Sequence, residues 1–176
     1  LSGDFKPKKH DHFLLQFSDG TKLVYNDTRK FGFINIINKP LDLFKFKFLG
    51  IEPQLINLFK DILYFEIKKK SKDLKSILLD QTFICGIGNI YASEILFHSK
   101  LSPFRKGKKI KKCEFLVLLN SIDTILKKAI EKGGSTIKDY INANNTLGYF
   151  QTEFKVYNRD GLQCYNCKNI IIKTRQ

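Results

Sequence analysis

A chain of 176 residues with 43% hydrophobic and 27% charged positions can bury one or two modest cores and is not composed like a disordered segment. Lys and Arg number 31 against 17 Asp and Glu, a formal net charge of +14 that exceeds what solubility asks of a domain this size and points to a polyanionic partner. No apolar run approaches the roughly 20 residues that cross a bilayer. The opening LSGDFKPKKHD has no apolar segment like a secretory signal, so a cytoplasmic protein with no membrane partner is expected.

Residues 12–37 read as β structure: HFLLQF, a turn at Ser18-Asp19-Gly20, TKLVYN, then FGFINII. Asp-Gly between two β-rich runs is a strong hairpin signal. From Lys39 to Gly50, Pro40 and the alternating Phe44, Phe46 and Phe48 suit a strand or an extended linker. The pattern turns helical at Glu52, with Pro53 in the first turn and Leu55, Leu58, Phe59, Ile62 and Leu63 on one face. A second helix is predicted from Ser71 to Leu79.

The centre of the chain, Ile77 to Pro103, joins two apolar helical segments through Gly86-Ile87-Gly88-Asn89. Two glycines so close permit a tight turn with positive φ and leave amide N–H groups unshielded, while Ile90, Tyr91, Ile95, Leu96 and Phe97 beyond them repeat at helical spacing. Such a turn delivers a helix N-terminus, and bare amides beside the Asn89 side chain suit a phosphate oxygen. A long amphipathic helix from Lys111 to Lys132 follows, carrying Phe115, Leu118, Leu119, Ile122, Ile125, Leu126 and Ala129 and stopped by Gly133-Gly134. Ser135 suits the N-cap of a short helix to about Ile141, and the polar loop NANNTLGYFQ comes next. From Phe154 the runs are short and β-like.

The charge is clustered: Lys68, Lys69, Lys70, Lys72 and Lys75 precede the central module, and Arg105, Lys106, Lys108, Lys109, Lys111 and Lys112 follow it. Lysine-rich composition is also a habit of AT-rich genomes, so placement matters more than the total. Of four cysteines, Cys85 and Cys113 sit in apolar or helical contexts as small buried or neutral residues. Cys164 and Cys167 form a C-x-x-C that is either half a metal site or a redox pair.

The strings LLDQ, GIGNIYASEILF and LSP closely resemble the helix-two-turns-helix module of the formamidopyrimidine-DNA glycosylase family, bacterial enzymes that excise oxidised purines. Asp27-Thr28-Arg29-Lys30-Phe31-Gly32 resembles that family's D-x-R-R-F-G signature, with Lys30 where a second arginine is usual. A base extruded from a duplex leaves a hole in the stack that something must fill. By the resemblance Arg29 contacts the orphaned base and Phe31 wedges between its neighbours, while Leu1 stands where methionine is usual. His10, Lys70, Lys75, Gly88, Asn89 and Tyr157 match DNA-contacting positions, and Lys138, within GGSTIKDY, falls in the family's lesion-recognition region. The D-x-R-R-F-G pattern favours the purine-specific branch.

Cys164-x-x-Cys167 after V-Y-N-R-D-G resembles the first half of that family's C-terminal zinc finger, which implies one structural Zn2+ with two of its four ligands here. Asn158 replaces a usual glycine. The resemblance thus implies an α+β fold: residues 1–50 end an N-terminal β-sandwich, 51–152 form the helix-two-turns-helix domain with its lesion-recognition loop, and 153–176 form a truncated zinc-finger β-hairpin. The implied chemistry is attack by an N-terminal proline amine on the sugar, assisted by a glutamate and a lysine, followed by strand cleavage. No residue of this chain matches those three, so a fragment is expected that binds damaged double-stranded DNA as a monomer and, alone, gives no borohydride-trapped adduct. The rival expectations are a non-catalytic nucleic-acid-binding module and the sister enzyme for oxidised pyrimidines.

Overall fold

The computed structural model describes residues 6–34, 36, 49–135 and 148–174, which fall into two compact units, Leu1–Phe44 and Lys45–Gln176. The architecture is α+β. The first unit is built on an antiparallel hairpin of β1 (Asp11–Gln16) and β2 (Lys22–Asn26), with Leu14 opposite Val24 and Gln16 opposite Lys22. Gly20 takes φ +83° in the turn, and the Asp19 carboxylate accepts the Thr21 N–H at 2.8 Å, so the Asp-Gly signal acts as expected. The run FGFINII does not extend the sheet. Residues 31–34 and 36 carry no strand, and Phe31, Phe33 and Ile36 are largely exposed. The Asp27 carboxylate binds the amides of Arg29, Lys30 and Gly32 and curls the start of this run into a turn instead.

The second unit is helical. Pro53–Leu55 forms one 3-10 turn rather than the start of a long helix, with Leu55 N–H bonding to Glu52 O at 2.9 Å and Leu58 N–H to Leu55 O at 3.0 Å. Helix α1 then runs over Lys60–Lys69. The break rotates the buried face: Ile56, Leu63 and Ile67 enter the core, whereas Leu55, Leu58, Phe59 and Ile62 of the predicted stripe stay exposed.

Helix α2 (Leu74–Leu79) starts three residues later than the sequence suggests, because Asp73 caps it by accepting the Ser76 N–H at 2.9 Å. Helix α3 (Asn89–His98) and helix α4 (Lys112–Glu131) complete the bundle. On α4, Phe115, Leu118, Leu119, Ile122, Ile125 and Ala129 are buried as their spacing predicts, and Gly133 (φ +72°) and Gly134 (φ +85°) end it, with Gly134 N–H reaching Ala129 O at 2.8 Å. Cys113, expected in a neutral or buried setting, lies exposed on this helix, while Cys85 is half-buried. The predicted strand or linker over 39–48 and the short helix after Ser135 lie outside the described residues. No described helix is long and apolar enough to cross a membrane.

Residues 70–74 and 103–108 lie against each other: Lys108 N–H donates to Lys70 O, Gly107 N–H to Lys72 O, Leu74 N–H to Arg105 O and Lys75 N–H to Pro103 O. Gly107 is buried at this crossing. A β-carbon on it would stand 2.6 Å from Ile77 Cδ1, 2.8 Å from Ile67 O and 3.1 Å from Lys70 O. Two of those three atoms are backbone and cannot swing aside. Gly107→Ala is therefore expected to destabilise the second unit by about 1–3 kcal/mol, read from urea denaturation. An unchanged midpoint would show that the crossing is loose.

Candidate nucleic-acid interface

The turn before α3 is held by one side chain. Gln81 accepts the Gly86 N–H at 2.8 Å through Oε1 and donates from Nε2 to Ile87 O at 3.0 Å and Leu79 O at 3.2 Å. Ile87 is fully buried and pins the turn to the core. Gly86 needs its glycine for φ +80°, whereas Gly88 has ordinary extended geometry, φ −98° and ψ 179°. A β-carbon on Gly88 would meet nothing within 4 Å. Among the described residues nothing demands a glycine there; its absent side chain leaves the first turn of α3 open. Gly88 supplies no capping side chain, and the first N–H groups of a helix have no partner within it.

Asn89, exposed at this terminus, lines a cleft of about 910 Å³ together with Lys75, Ser93, Tyr157 and Lys173. The structure brings together Lys75, Asn89 and Tyr157, three residues singled out from sequence far apart along the chain. Lys70 has a different setting: its Nζ pairs with Asp80 at 3.3 Å and sits 5.4 Å from the Phe83 ring centroid. The Thr82 hydroxyl, with the Thr82 amide and Lys70, holds the Asp80 carboxyl below its usual range against the opposing effect of burial.

Tyr157 is fixed by a residue the sequence reading passed over. Glu94 is 2% exposed, on the inner side of α3, and accepts three backbone N–H groups from the stretch before the finger: Lys155 at 2.9 Å, Val156 at 2.9 Å and Tyr157 at 2.8 Å. A charged residue inside the apolar run IYASEILF was the available signal, since an acid is rarely buried without partners. A line of rings parallels this clamp: Tyr91 to Phe150 at 5.7 Å, Phe150 to Phe154 at 5.8 Å and Phe154 to Tyr157 at 5.6 Å.

In the finger, Asn158 adopts φ +56°, a conformation asparagine tolerates. Cys164 is buried and Cys167 exposed. The N–H groups of Cys167 and Asn166 bond to the Cys164 sulfur and draw its thiol below the ordinary value, with a smaller contribution from Arg159. Arg159 itself stacks 3.8 Å from the Tyr165 ring centroid. A thiol so solvated suits a metal ligand, but among the described residues no group of three or more His, Cys, Asp or Glu gathers around an ion.

In the first unit, one carboxylate organises the turn that carries Arg29 and Phe31. Asp27 Oδ1 accepts the N–H groups of Arg29 and Lys30, each at 3.0 Å, and Oδ2 accepts the Gly32 N–H at 2.8 Å and the Tyr25 hydroxyl at 3.1 Å. Lys30 is forced to φ +54°, and any side chain at Gly32 would collide with the Tyr25 hydroxyl. Phe31 is left 79% exposed with the Arg29 guanidinium 4.7 Å from its ring centroid. His10 lies beside this turn, its carbonyl accepting the Asp27 N–H at 3.0 Å. Leu1 and Lys138 lie outside the described residues.

A family model described as the formamidopyrimidine-DNA glycosylase H2TH domain matches residues 49–141, more than half of the chain. The chain belongs to this family. It is 41% identical over 173 residues to the formamidopyrimidine-DNA glycosylase of Wolbachia sp. subsp. Drosophila simulans, covering 98% of this chain and 64% of that relative. It is 39% identical over 177 residues to that of Rickettsia felis, covering 98% and 63%. The chain therefore spans a little under two thirds of the length of these relatives. Lactococcus lactis Fpg in complex with DNA containing an abasic site superposes with a TM-score of 0.87 at 35% identity, covering 98% of this chain and 64% of that one. MutM in complex with carbocyclic 8-oxo-G containing DNA gives 0.86 at 35% identity, covering 98% and 63%. The matched residues include α3 with its opened N-terminus, and Tyr157, beyond the match, lines the same cleft as Asn89.

Two outcomes are expected. Glu94→Ala removes the shared acceptor of three part-buried N–H groups, at about 0.5–1 kcal/mol each, and should lower stability by about 1.5–3 kcal/mol while speeding amide exchange at residues 155–157. Exchange unchanged at those amides would mean that the rings alone hold the segment. Asp27, whose amide partners, Gly32 foremost, draw its carboxyl from the usual 3.8 to about 2, should titrate by NMR near pH 2. Because the folded pKa is depressed, the contribution of this carboxylate is complete above about pH 4 and is lost as pH falls toward 2. A midpoint near 3.8 would mean that the turn is not formed.

Proposed function

We propose that these residues are the DNA-binding and lesion-recognition part of a base-excision-repair glycosylase and AP lyase that removes oxidised purines, 8-oxoguanine and formamidopyrimidines, from duplex DNA. One observation carries the reading: α3 begins with a turn without a side-chain cap, behind a glycine that no described residue requires, with Asn89, Lys75 and Tyr157 lining the same cleft. A backbone phosphate needs such a set, namely free amides at the positive end of a helix, a neutral donor and a cation. The relatives named as formamidopyrimidine-DNA glycosylases, and neighbours solved with abasic or 8-oxo-G DNA, support the substrate class.

In this reading Gly88 and Asn89 seat a phosphate of the damaged strand, with Lys75 and Tyr157 beside it. Arg29 donates to the base left unpaired, and Phe31 and Leu1 fill the gap in the stack. His10 and Lys70 add backbone contacts, and Lys138 belongs to the region that reads the extruded base. No nucleophile is assigned to these residues. Cys164 and Cys167 would supply two of four thiolate-type ligands to a structural zinc, which ties the finger together without entering the chemistry. The protein acts as a monomer on the bacterial nucleoid.

The test is binding to duplexes that differ in one nucleotide. This chain should prefer a duplex with an abasic analogue to the undamaged one, and Asn89→Ala should weaken binding to both by about tenfold, the worth of one hydrogen bond to a charged group. Equal affinity for the two duplexes by the unaltered chain would overturn the repair reading and leave a general nucleic-acid-binding module. Borohydride trapping on 8-oxoguanine duplex should yield an adduct with the whole protein and none with this chain.

A further inference from the structure

The two lysine clusters that flank the central module in sequence meet in space. The crossing of residues 70–74 and 103–108 places Lys72, Lys106, Lys108 and Lys109 on neighbouring positions of two paired segments, all exposed. Lys68 is drawn into the same feature, its ammonium donating to the carbonyls of Lys108 and, at 3.3 Å, of Ile110. Other cations nearby are answered by acids: Lys69 by Glu66, Arg105 by Glu114 and Lys112 by Asp61. Asp73 lies opposite Lys106, but its side chain is committed to the Ser76 amide. Lys72, Lys108 and Lys109 form no ion pair with any described residue. Gathering unanswered like charges on a rigid crossing costs electrostatic energy that a polyanion recovers.

We propose that this ridge is a second contact for duplex DNA, holding phosphates of the flank on one side of the lesion. The assignment to DNA rather than an acidic protein rests on continuity. Lys75 and Pro103, hydrogen-bonded neighbours at one end of the crossing, also line the cleft beside Asn89, so the ridge extends that cleft outward. Lys72 is three residues from Lys75 and Lys109 six from Pro103, a reach of at most about 10 to 20 Å along extended chain. At about 3.4 Å per base pair that puts the phosphates it holds within about six base pairs of the one seated at Asn89. The inference rests on the DNA-binding reading above and adds an asymmetric footprint to it.

The experiment measures the affinity of this chain for duplexes carrying an abasic analogue, with the flank on one side or the other lengthened from about 3 to about 12 base pairs. The unaltered chain should gain affinity on lengthening one side only, and the Lys72→Gln/Lys108→Gln/Lys109→Gln variant should lose that gain. Each phosphate contact contributes about 0.9 to the slope of log affinity against log salt, so the variant's slope should be shallower by about 2.7 on the long duplex. Its deficit relative to the unaltered chain should accordingly shrink about 40-fold between 50 and 200 mM salt. A control losing the same charge at Lys60, Lys127 and Lys128 should keep the one-sided gain. Equal slopes for ridge variant and unaltered chain, or the same change in the control, would overturn the proposal. Tight capture of poly-glutamate with an unchanged DNA slope would overturn it too, in favour of an acidic protein. If abasic and undamaged duplexes bind alike, it is the repair reading that fails, and the ridge is still decided by the slope on either duplex.

Discussion

The second unit depends on the carboxylate of Glu94. Held at 2% exposure, it is satisfied by three amides of the segment 155–157, without which a buried carboxylate would be costly. The arrangement ties the inner face of α3 to the start of the finger. The same helix places Asn89 in the lining of the cleft while Glu94, five residues on, holds the amide of Tyr157, which lines it too. The ring series from Tyr91 to Tyr157 stiffens the connection, but rings tolerate sliding whereas three amides on one carboxylate define a register.

A similar economy governs the first unit. Four donors converge on Asp27, and the turn they create is what turns Phe31 and Arg29 outward rather than along a strand. An exposed phenylalanine is unfavourable in water, and a lysine at φ +54° is strained. Both cost folding energy, and the Asp27 carboxylate, which binds four donors, is what offsets them. In both units a buried or shielded carboxylate organises backbone amides so that neighbouring side chains are displayed.

Much of this was legible in residue order. The Asp-Gly hairpin and the amphipathic α4 with its glycine stop follow from local periodicity and turn chemistry, and the structure reproduces them within a residue or two. The glycine pair before α3 was recognisable as a helix-delivering turn, although only the tertiary structure separates Gly86, needed for its φ, from Gly88, which no described residue requires. The reading failed where two local rules competed. Pro53 suits the first turn of a helix, but the chain closed a 3-10 turn and restarted at Lys60, so of the expected stripe only Leu63 is buried, joined by Ile56 and Ile67 in place of Leu55, Leu58, Phe59 and Ile62. The β-rich run after Gly32 likewise lost to the amide-binding carboxylate of Asp27, which no propensity scale registers.

The sequence by itself showed the family through its motif strings, and it showed the hairpin and α4 through periodicity and turn chemistry, because such signals act over a few residues. Tertiary structure decided which of those residues meet. Glu94 finds its amides 61 to 63 positions away, and Lys68 finds its carbonyl acceptors 40 and 42 positions away. Such pairings are set by how the core closes around Ile67, Ile77 and Ile87, and by Gly107 letting two segments cross at backbone distance. Long-range partners carry no local signature, since any buried acid or clustered lysine can be answered by whichever segment packing brings to it.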